Sequence, residues 1–236
     1  MKISEIPVLI LAGGRGSRIK HLLNNFPKPM YPVLGKPFLD YQIKYLKKFG
    51  FSQFFISTGY QASVIHDYYS KDINVTCIYE NEPLGTGGGV LLAAQTINAN
   101  NFIVLNGDTL YLLDFDSFVT QSLINKNNST IALKQVDDVS RYGEVTLGEN
   151  NIIKSFIEKN KSGAKKGLIN AGIYFLNKKQ IIDSCMPSIC SMETDIFPSL
   201  QRSGLYGYVS SDSFIDIGTP ETLGEIENFI VINNLT

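Results

Sequence analysis

Four short runs rich in β-branched and aromatic residues, Pro7 to Leu11, Phe54 to Thr58, Val75 to Tyr79 and Ile103 to Asn106, alternate with longer stretches of amphipathic character. Strands separated in this way join one sheet through helical crossovers, so the first half of the chain predicts βα units and a mostly parallel sheet. In FLDYQIKYLKKFG, Leu39, Ile43, Leu46 and Phe49 recur at helical spacing and Gly50 supplies a stop. Gln61 to Tyr69 and Gly88 to Thr96 are the next two expected helices. After about Ser129 the texture changes, and STIALKQV, GEVTL, IIKSFIEK and LINAGIYFL read as strands with fewer helices between them. Thr219, followed by Pro220, N-caps a last helix that runs to about Ile232. The expected fold is α/β: a Rossmann-like, mostly parallel mixed sheet flanked by helices, with a smaller β-rich lobe. One domain is expected, its halves covering about 1–128 and about 129–236. Such a sheet collects ligands at the carboxyl ends of its strands.

Charge limits the partners. With 21 Lys and Arg against 22 Asp and Glu among 236 residues, the formal net charge is -1. A nucleic-acid backbone needs many cations on one face, so no nucleic acid is expected, and any bound anion has to be met locally. Cys77, Cys185 and Cys190 show no CxxC spacing, which predicts neither a zinc site nor a disulfide framework. His21 and His66 stand apart and are assigned nothing. The opening MKISEIPVLILAGG holds too short an apolar run for a membrane span and no cleavage site, so a cytoplasmic protein without a membrane partner is expected. The apolar stretch EIENFIVINNLT could pack on its own sheet or on a second subunit, which leaves a homo-oligomer open.

The first strand runs into Leu11-Ala12-Gly13-Gly14-Arg15-Gly16-Ser17-Arg18. Counted from Gly14, the third position of a GxGxxG dinucleotide fingerprint falls on Ile19, and no GxxxxGK[ST] run exists. What remains is main chain whose N–H groups no side chain covers, a cradle for a polyphosphate. A plain strand-to-helix turn is the alternative, but a turn does not need two arginines beside its glycines. Arg18 and Lys28 bring full positive charge, and Pro27 and Pro29 fix the backbone on both sides of Lys28.

LAGGRGSR followed by PKPM resembles the signature of the sugar-1-phosphate nucleotidyltransferases. The resemblance continues through PLGTGGG at 83–89, NGD at 106–108, YGEV at 142–145, FIEK at 156–159, NAGIY at 170–174 and FIDIGTPE at 214–221. It thus spans almost the whole chain in the family's order. Ser17, Ile19 and Phe214 depart from the usual residues, and none of these changes removes a charge. The resemblance implies a GT-A-like fold with a nucleotide-binding first half and a sugar-binding second half. It implies one displacement, in which a sugar 1-phosphate attacks the α-phosphorus of an NTP and pyrophosphate leaves. Nucleotide contacts are implied for Leu11, Ala12, Gly13, Gly14, Arg15, Gly16, Ser17, Glu80, Pro83, Gly85, Thr86, Gly87 and Gly107. Asp108, which ends an apolar strand beside Gly107, and Asp216, in a second strand-like stretch before Gly218, are expected to hold Mg²⁺, which accepts carboxylates together with phosphate oxygens and water. Arg18, Lys28 and Asp108 are the expected catalytic residues, Arg18 on the leaving pyrophosphate and Lys28 on the α-phosphate. Gly143, Glu158, Lys159 and Asn170 are implied on the sugar-phosphate side, Glu158 and Lys159 being otherwise an ordinary solvated strand end. Met192 to Asp195 is similar to a family segment beside the sugar pocket.

Glu80 bears on the base. A carboxylate only accepts, and the edge of guanine offers two adjacent donors where uracil offers one donor between two acceptors. Glu80 therefore predicts GTP, the alternative being that Glu80 or Glu82 points to solvent. The short form with ENEPLGTGG and NAGIY most resembles the D-glycero-α-D-manno-heptose 1-phosphate guanylyltransferases of bacterial surface polysaccharide pathways. A mannose-1-phosphate guanylyltransferase, or a uridylyl-, thymidylyl- or cytidylyltransferase acting on glucose-1-phosphate or a related small phosphate, is the alternative.

Overall fold

A computed structural model describes residues 2–236 apart from 126–127, 141, 158–163 and 185. In chain order it contains β1 (Val8–Ala12), a small hairpin of β2 (Pro32–Val33) and β3 (Lys36–Pro37), α1 (Phe38–Lys48), β4 (Phe54–Thr58), α2 (Ala62–Tyr69), β5 (Val75–Tyr79), α3 (Gly85–Thr96), β6 (Asn101–Asn106), β7 (Thr109–Tyr111) and α4 (Phe115–Ile124). There follow β8 (Ser129–Val136), β9 (Glu144–Leu147), β10 (Ile153–Ile157), β11 (Gly167–Asn177), α5 (Lys178–Asp183), α6 (Phe197–Ser203), β12 (Leu205–Ser210), β13 (Phe214–Asp216) and α7 (Pro220–Ile232).

The apolar run of β1 is continuous because helices cover both faces of the sheet there. Val8 and Ile10 join a core with Ile43 and Leu46 of α1 and Phe115 and Phe118 of α4. Leu9, pointing the other way, joins a second core with Val90, Ala93 and Ala94 of α3. Among the described residues nine strands share one sheet, in the order β10-β9-β11-β6-β1-β4-β5, with β8 joined to β11 and β12. β4 and β6 flank β1 and both run parallel to it, and β5 is parallel to β4. β11 is antiparallel to β6, β8 and β9, so the long strand β11 joins a parallel half to an antiparallel one. This is the expected mixed sheet flanked by helices.

α7 packs through Leu223, Ile226 and Ile230 on Ile215 of β13, Phe38 and Tyr41 of α1, and Ile19. The apolar stretch at its end therefore serves its own fold, with Val231 and Ile232 left exposed. Among the described residues no helix is long and apolar enough to cross a membrane. Two local differences from the sequence reading have physical causes. α3 begins at Gly85 rather than Gly88, because its bare first turn is pressed against the 188–191 segment: the N–H groups of Gly87 and Gly88 donate to the Cys190 carbonyl at 3.0 and 3.2 Å. In β11 the pairing with β8 shifts between Asn170 and Tyr174, where Gly172 takes φ 73°. That left-handed conformation favours glycine, and a side chain there would also meet the Asn106 amide.

Candidate active site

After β1 the chain builds β4 and β5 on one side and then returns to place β6 on the other, so the strand order reverses at the carboxyl end of β1. A cavity of about 500 Å³ opens at that end. Its wall takes Leu11, Ala12, Gly13, Gly14, Arg15 and Gly16 from the loop after β1 and Gly59 and Tyr60 from the turn after β4. Tyr79, Glu80 and Pro83 follow β5, Gly85 and Thr86 open α3, and Asn106, Gly107, Asp108 and Lys28 close the ring.

Glu80 is turned inward and only 8% exposed. Its Oε1 accepts the hydroxyl of Ser57 at 2.6 Å, and its Oε2 accepts the N–H of Leu84 at 3.4 Å. A Cβ on Gly13 would stand 2.7 Å from Oε1, so the bare loop is bare partly because a buried carboxylate passes against it. Glu80 does not point to solvent; Glu82 is exposed, on the lining of the same cavity.

The Asn106–Asp108 turn is held from three sides. Gly107 donates its N–H to the Leu11 carbonyl at 2.9 Å, tying the turn to β1. The buried amide of Gln42 donates to the carbonyls of Asn106 at 2.9 Å and Thr109 at 2.5 Å. The antiparallel pair β7–β13 sets Asp216 opposite Thr109, and the N–H of Ile217 donates to the Asp108 carbonyl at 2.9 Å. Two acids from distant parts of the chain thereby stand on adjoining backbone, Asp108 on the cavity wall and Asp216 outside it. Asp216 accepts the Tyr142 hydroxyl on Oδ2 at 2.8 Å and the Gly218 N–H on Oδ1 at 2.9 Å. Asp108 Oδ2 lies 2.6 Å from Lys28 Nζ. Every carboxylate oxygen keeps a second lone pair after these bonds. Among the described residues no group of three or more acidic, histidine or cysteine side chains forms a closed cage. Two carboxylates with open coordination fit a hard divalent cation that completes its shell with water and phosphate oxygens.

The other expected residues are placed unequally. Ser17 and Arg18 are exposed on the 3₁₀ helix Ser17–Leu22 and stand outside the cavity wall, which Arg15 joins. Gly87 is not open to the cavity either: it is buried behind Thr86, where a Cβ would meet Cys190 Sγ at 2.7 Å. Asn170 donates to the hydroxyl of Tyr174 at 3.1 Å and accepts the Gly172 N–H at 2.9 Å. Burial pushes the Tyr174 hydroxyl well above its usual range, and the negative charges of Glu193 and Asp108 act the same way. Asn170 itself is not on the cavity wall. Gly143 has φ 81° and lies beside Tyr142, whose hydroxyl reaches Asp216. Glu158 and Lys159 lie outside the described residues. The Met192–Asp195 run sits beside the cavity mouth: Thr86 donates its hydroxyl to Glu193 at 3.1 Å and accepts the Met192 N–H at 2.9 Å. Ser57, Tyr60, Tyr79, Asn106 and Tyr142 were not singled out from sequence; only the last two lie within the quoted motifs.

The chain matches the nucleotidyl transferase family over residues 7–232. It is 36% identical over 216 residues to the D-glycero-alpha-D-manno-heptose 1-phosphate guanylyltransferase of Campylobacter jejuni, covering 90% of this chain and 95% of that protein. With the enzyme of the same name from Aneurinibacillus thermoaerophilus it shares 36% identity over 218 residues, 90% of this chain and 93% of that one. The crystal structure of HddC from Yersinia pseudotuberculosis complexed with GMP-PN superposes with a TM-score of 0.84 at 38% identity, covering 95% of this chain and 99% of that chain.

Proposed function

The chain belongs to the nucleotidyl transferase family and is an enzyme of that class, and from this premise we propose that it transfers GMP from GTP to D-glycero-α-D-manno-heptose 1-phosphate, releasing pyrophosphate. The observation that carries the choice of base is the buried carboxylate of Glu80 on the cavity wall, an acceptor pair for the two adjacent donors of guanine. The sugar is supported by the relatives of matching length named for that heptose phosphate.

In the reaction an oxygen of the sugar phosphate attacks the α-phosphorus, one P–O bond forms as the bond to the β-phosphate breaks, and pyrophosphate carries the charge away. Such transfers are governed by positioning and charge, so no protein nucleophile is required. The N–H groups from Gly13 to Gly16 receive the phosphates, with Ser17 at the edge of the cradle. Lys28 turns from Asp108 to the α-phosphate, and Arg18, with Arg15 beside it, meets the leaving pyrophosphate. Asp108 and Asp216 would hold Mg²⁺, which when bound offsets phosphate charge. Gly143, Glu158, Lys159 and Asn170 take the sugar phosphate, the second half of the chain serving that substrate and the first half the nucleotide. The product, a nucleoside-diphosphate heptose, would be used from the cytoplasm for surface polysaccharide assembly.

Pyrophosphate release measured with GTP, ATP, UTP and CTP against heptose-, mannose- and glucose-1-phosphate tests this reading. GTP with the heptose phosphate is expected to give the highest kcat/KM. Faster turnover with UTP or CTP would overturn the base, and faster turnover with mannose- or glucose-1-phosphate the sugar.

A further inference from the structure

Ser57 stands in β4 in register with Leu11 of β1 and Ile78 of β5, and none of its surface reaches solvent. A hydroxyl buried in such a strand needs a partner, and this one donates to Oε1 of Glu80 at 2.6 Å. Bare main chain closes on the same oxygen from two directions. A Cβ on Gly13 would lie 2.7 Å from Oε1 and one on Gly89 3.1 Å, the latter equally close to the Ser57 hydroxyl. The last torsion of a glutamate is intrinsically broad, so nothing within Glu80 itself fixes the plane of its carboxylate. Two parallel hydrogen bonds to a purine edge require that plane to be fixed.

We propose that Ser57 is a positioning residue for base selection: by holding Oε1 it sets the Glu80 carboxylate in the plane from which both oxygens accept from guanine, one from N1–H and one from the N2 amino group. This rests on the guanine reading of Glu80 and adds the element that orients it. Oε1 keeps a lone pair beyond the Ser57 bond, and Oε2 keeps one beyond the long contact from Leu84.

Calorimetric binding of GTP and of ITP, which lacks the N2 amino group, to the wild type, Ser57→Ala, Glu80→Gln and the double variant tests the assignment without requiring turnover. The wild type is expected to prefer GTP over ITP. Ser57→Ala is expected to weaken GTP about 10-fold, the scale of one hydrogen bond to a charged group, and to shrink the preference for GTP over ITP roughly threefold or more. In the Glu80→Gln background Ser57→Ala should add nothing to that ratio, because the effect passes through Glu80. Equal weakening of both nucleotides by Ser57→Ala, or the same shift in both backgrounds, would overturn the proposal. A wild type that does not distinguish GTP from ITP, or a Glu80→Gln protein whose GTP-to-ITP ratio is unchanged from the wild type, would sink the guanine reading itself. A changed ratio in Glu80→Gln alone removes only Ser57. If Ser57→Ala melts early, Ser57→Cys, close in volume and a weaker donor, should give an intermediate ratio, and an unchanged one would count against the assignment.

Discussion

Lys28 reaches the cavity already paired, its ammonium 2.6 Å from Asp108, with 14% of the Lys28 side chain exposed against 35% of the Asp108 side chain. Within the pair the two charges offset each other, and binding of a cation and a triphosphate would exchange both partners. Removing a preorganised charge of this kind typically costs on the order of 10²–10³ in rate, so Lys28→Ala is expected to lower kcat by about that factor in pyrophosphate release at saturating substrates. The same loss is expected for Arg18→Ala; near-normal turnover there would pass the role to Arg15, the arginine on the cavity wall. The cations and acids were legible because their motifs carry chemistry in the residue types themselves. Ser57 was not, since one serine in an apolar strand has no periodic signal and its partner is supplied by the parallel pairing of β4 with β5.

Glycines within helices have two opposite meanings here. At Gly87 an added methyl would meet Cys190 Sγ at 2.7 Å and backbone of the same segment at 3.0 Å, whereas around Gly224 of α7 nothing lies within 4 Å. Gly87→Ala is therefore expected to destabilise the protein by about 1–3 kcal/mol through overpacking, against its better helix propensity. Gly224→Ala should stabilise by about 1 kcal/mol. Chemical denaturation of both variants decides, and like signs would refute the packing argument. At the start of α4 the Asp114 side chain accepts the Ser117 N–H at 3.2 Å and hydroxyl at 2.6 Å, bonds that hold its carboxyl below the ordinary 3.8. A lowered folded-state pKa gives stability that is present above the unfolded value and lost as pH falls through the folded one. Asp114→Ala should thus cost about 1 kcal/mol near neutrality, and the difference from wild type should vanish in acid below the ordinary carboxyl range. The strands β4, β5 and β8 and the Thr219 cap were readable from local pattern. The true start of α3 was not, because glycines lower helix propensity and only the 188–191 segment explains why they are there.

Over the whole molecule, two cores on opposite faces of one sheet and a third under α7 bury aromatic rings with their hydroxyls inside. Burial, the largest cause, pushes Tyr45 and Tyr111 up to about 12, while the bond to Asp40 does most to push Tyr68 to about 12. For a raised folded-state pKa the contribution to stability is whole below the unfolded value of 10.0 and is lost as pH climbs toward the folded one. The tyrosine share of the stability should accordingly be whole up to about pH 10 and be lost between about 10 and 12, above the earlier loss that the raised thiols of Cys77 and Cys190 begin near 9.0. Tyr111→Phe should flatten that alkaline limb while losing its bond to the Ser210 carbonyl at 3.0 Å; an unchanged limb would refute the assignment to buried tyrosines.

The sequence alone determined the alternation of strands and helices, the family and the kinds of charge at the site, because periodicity and motif chemistry are properties of contiguous residues. Only the tertiary structure decided that the backbones of Asp108 and Asp216 adjoin, that Glu80 is buried rather than solvated, and that Arg15 rather than Arg18 lines the cavity. These are distances between segments remote along the chain. They follow from strand register and from what packs above it, neither of which is written in any local stretch.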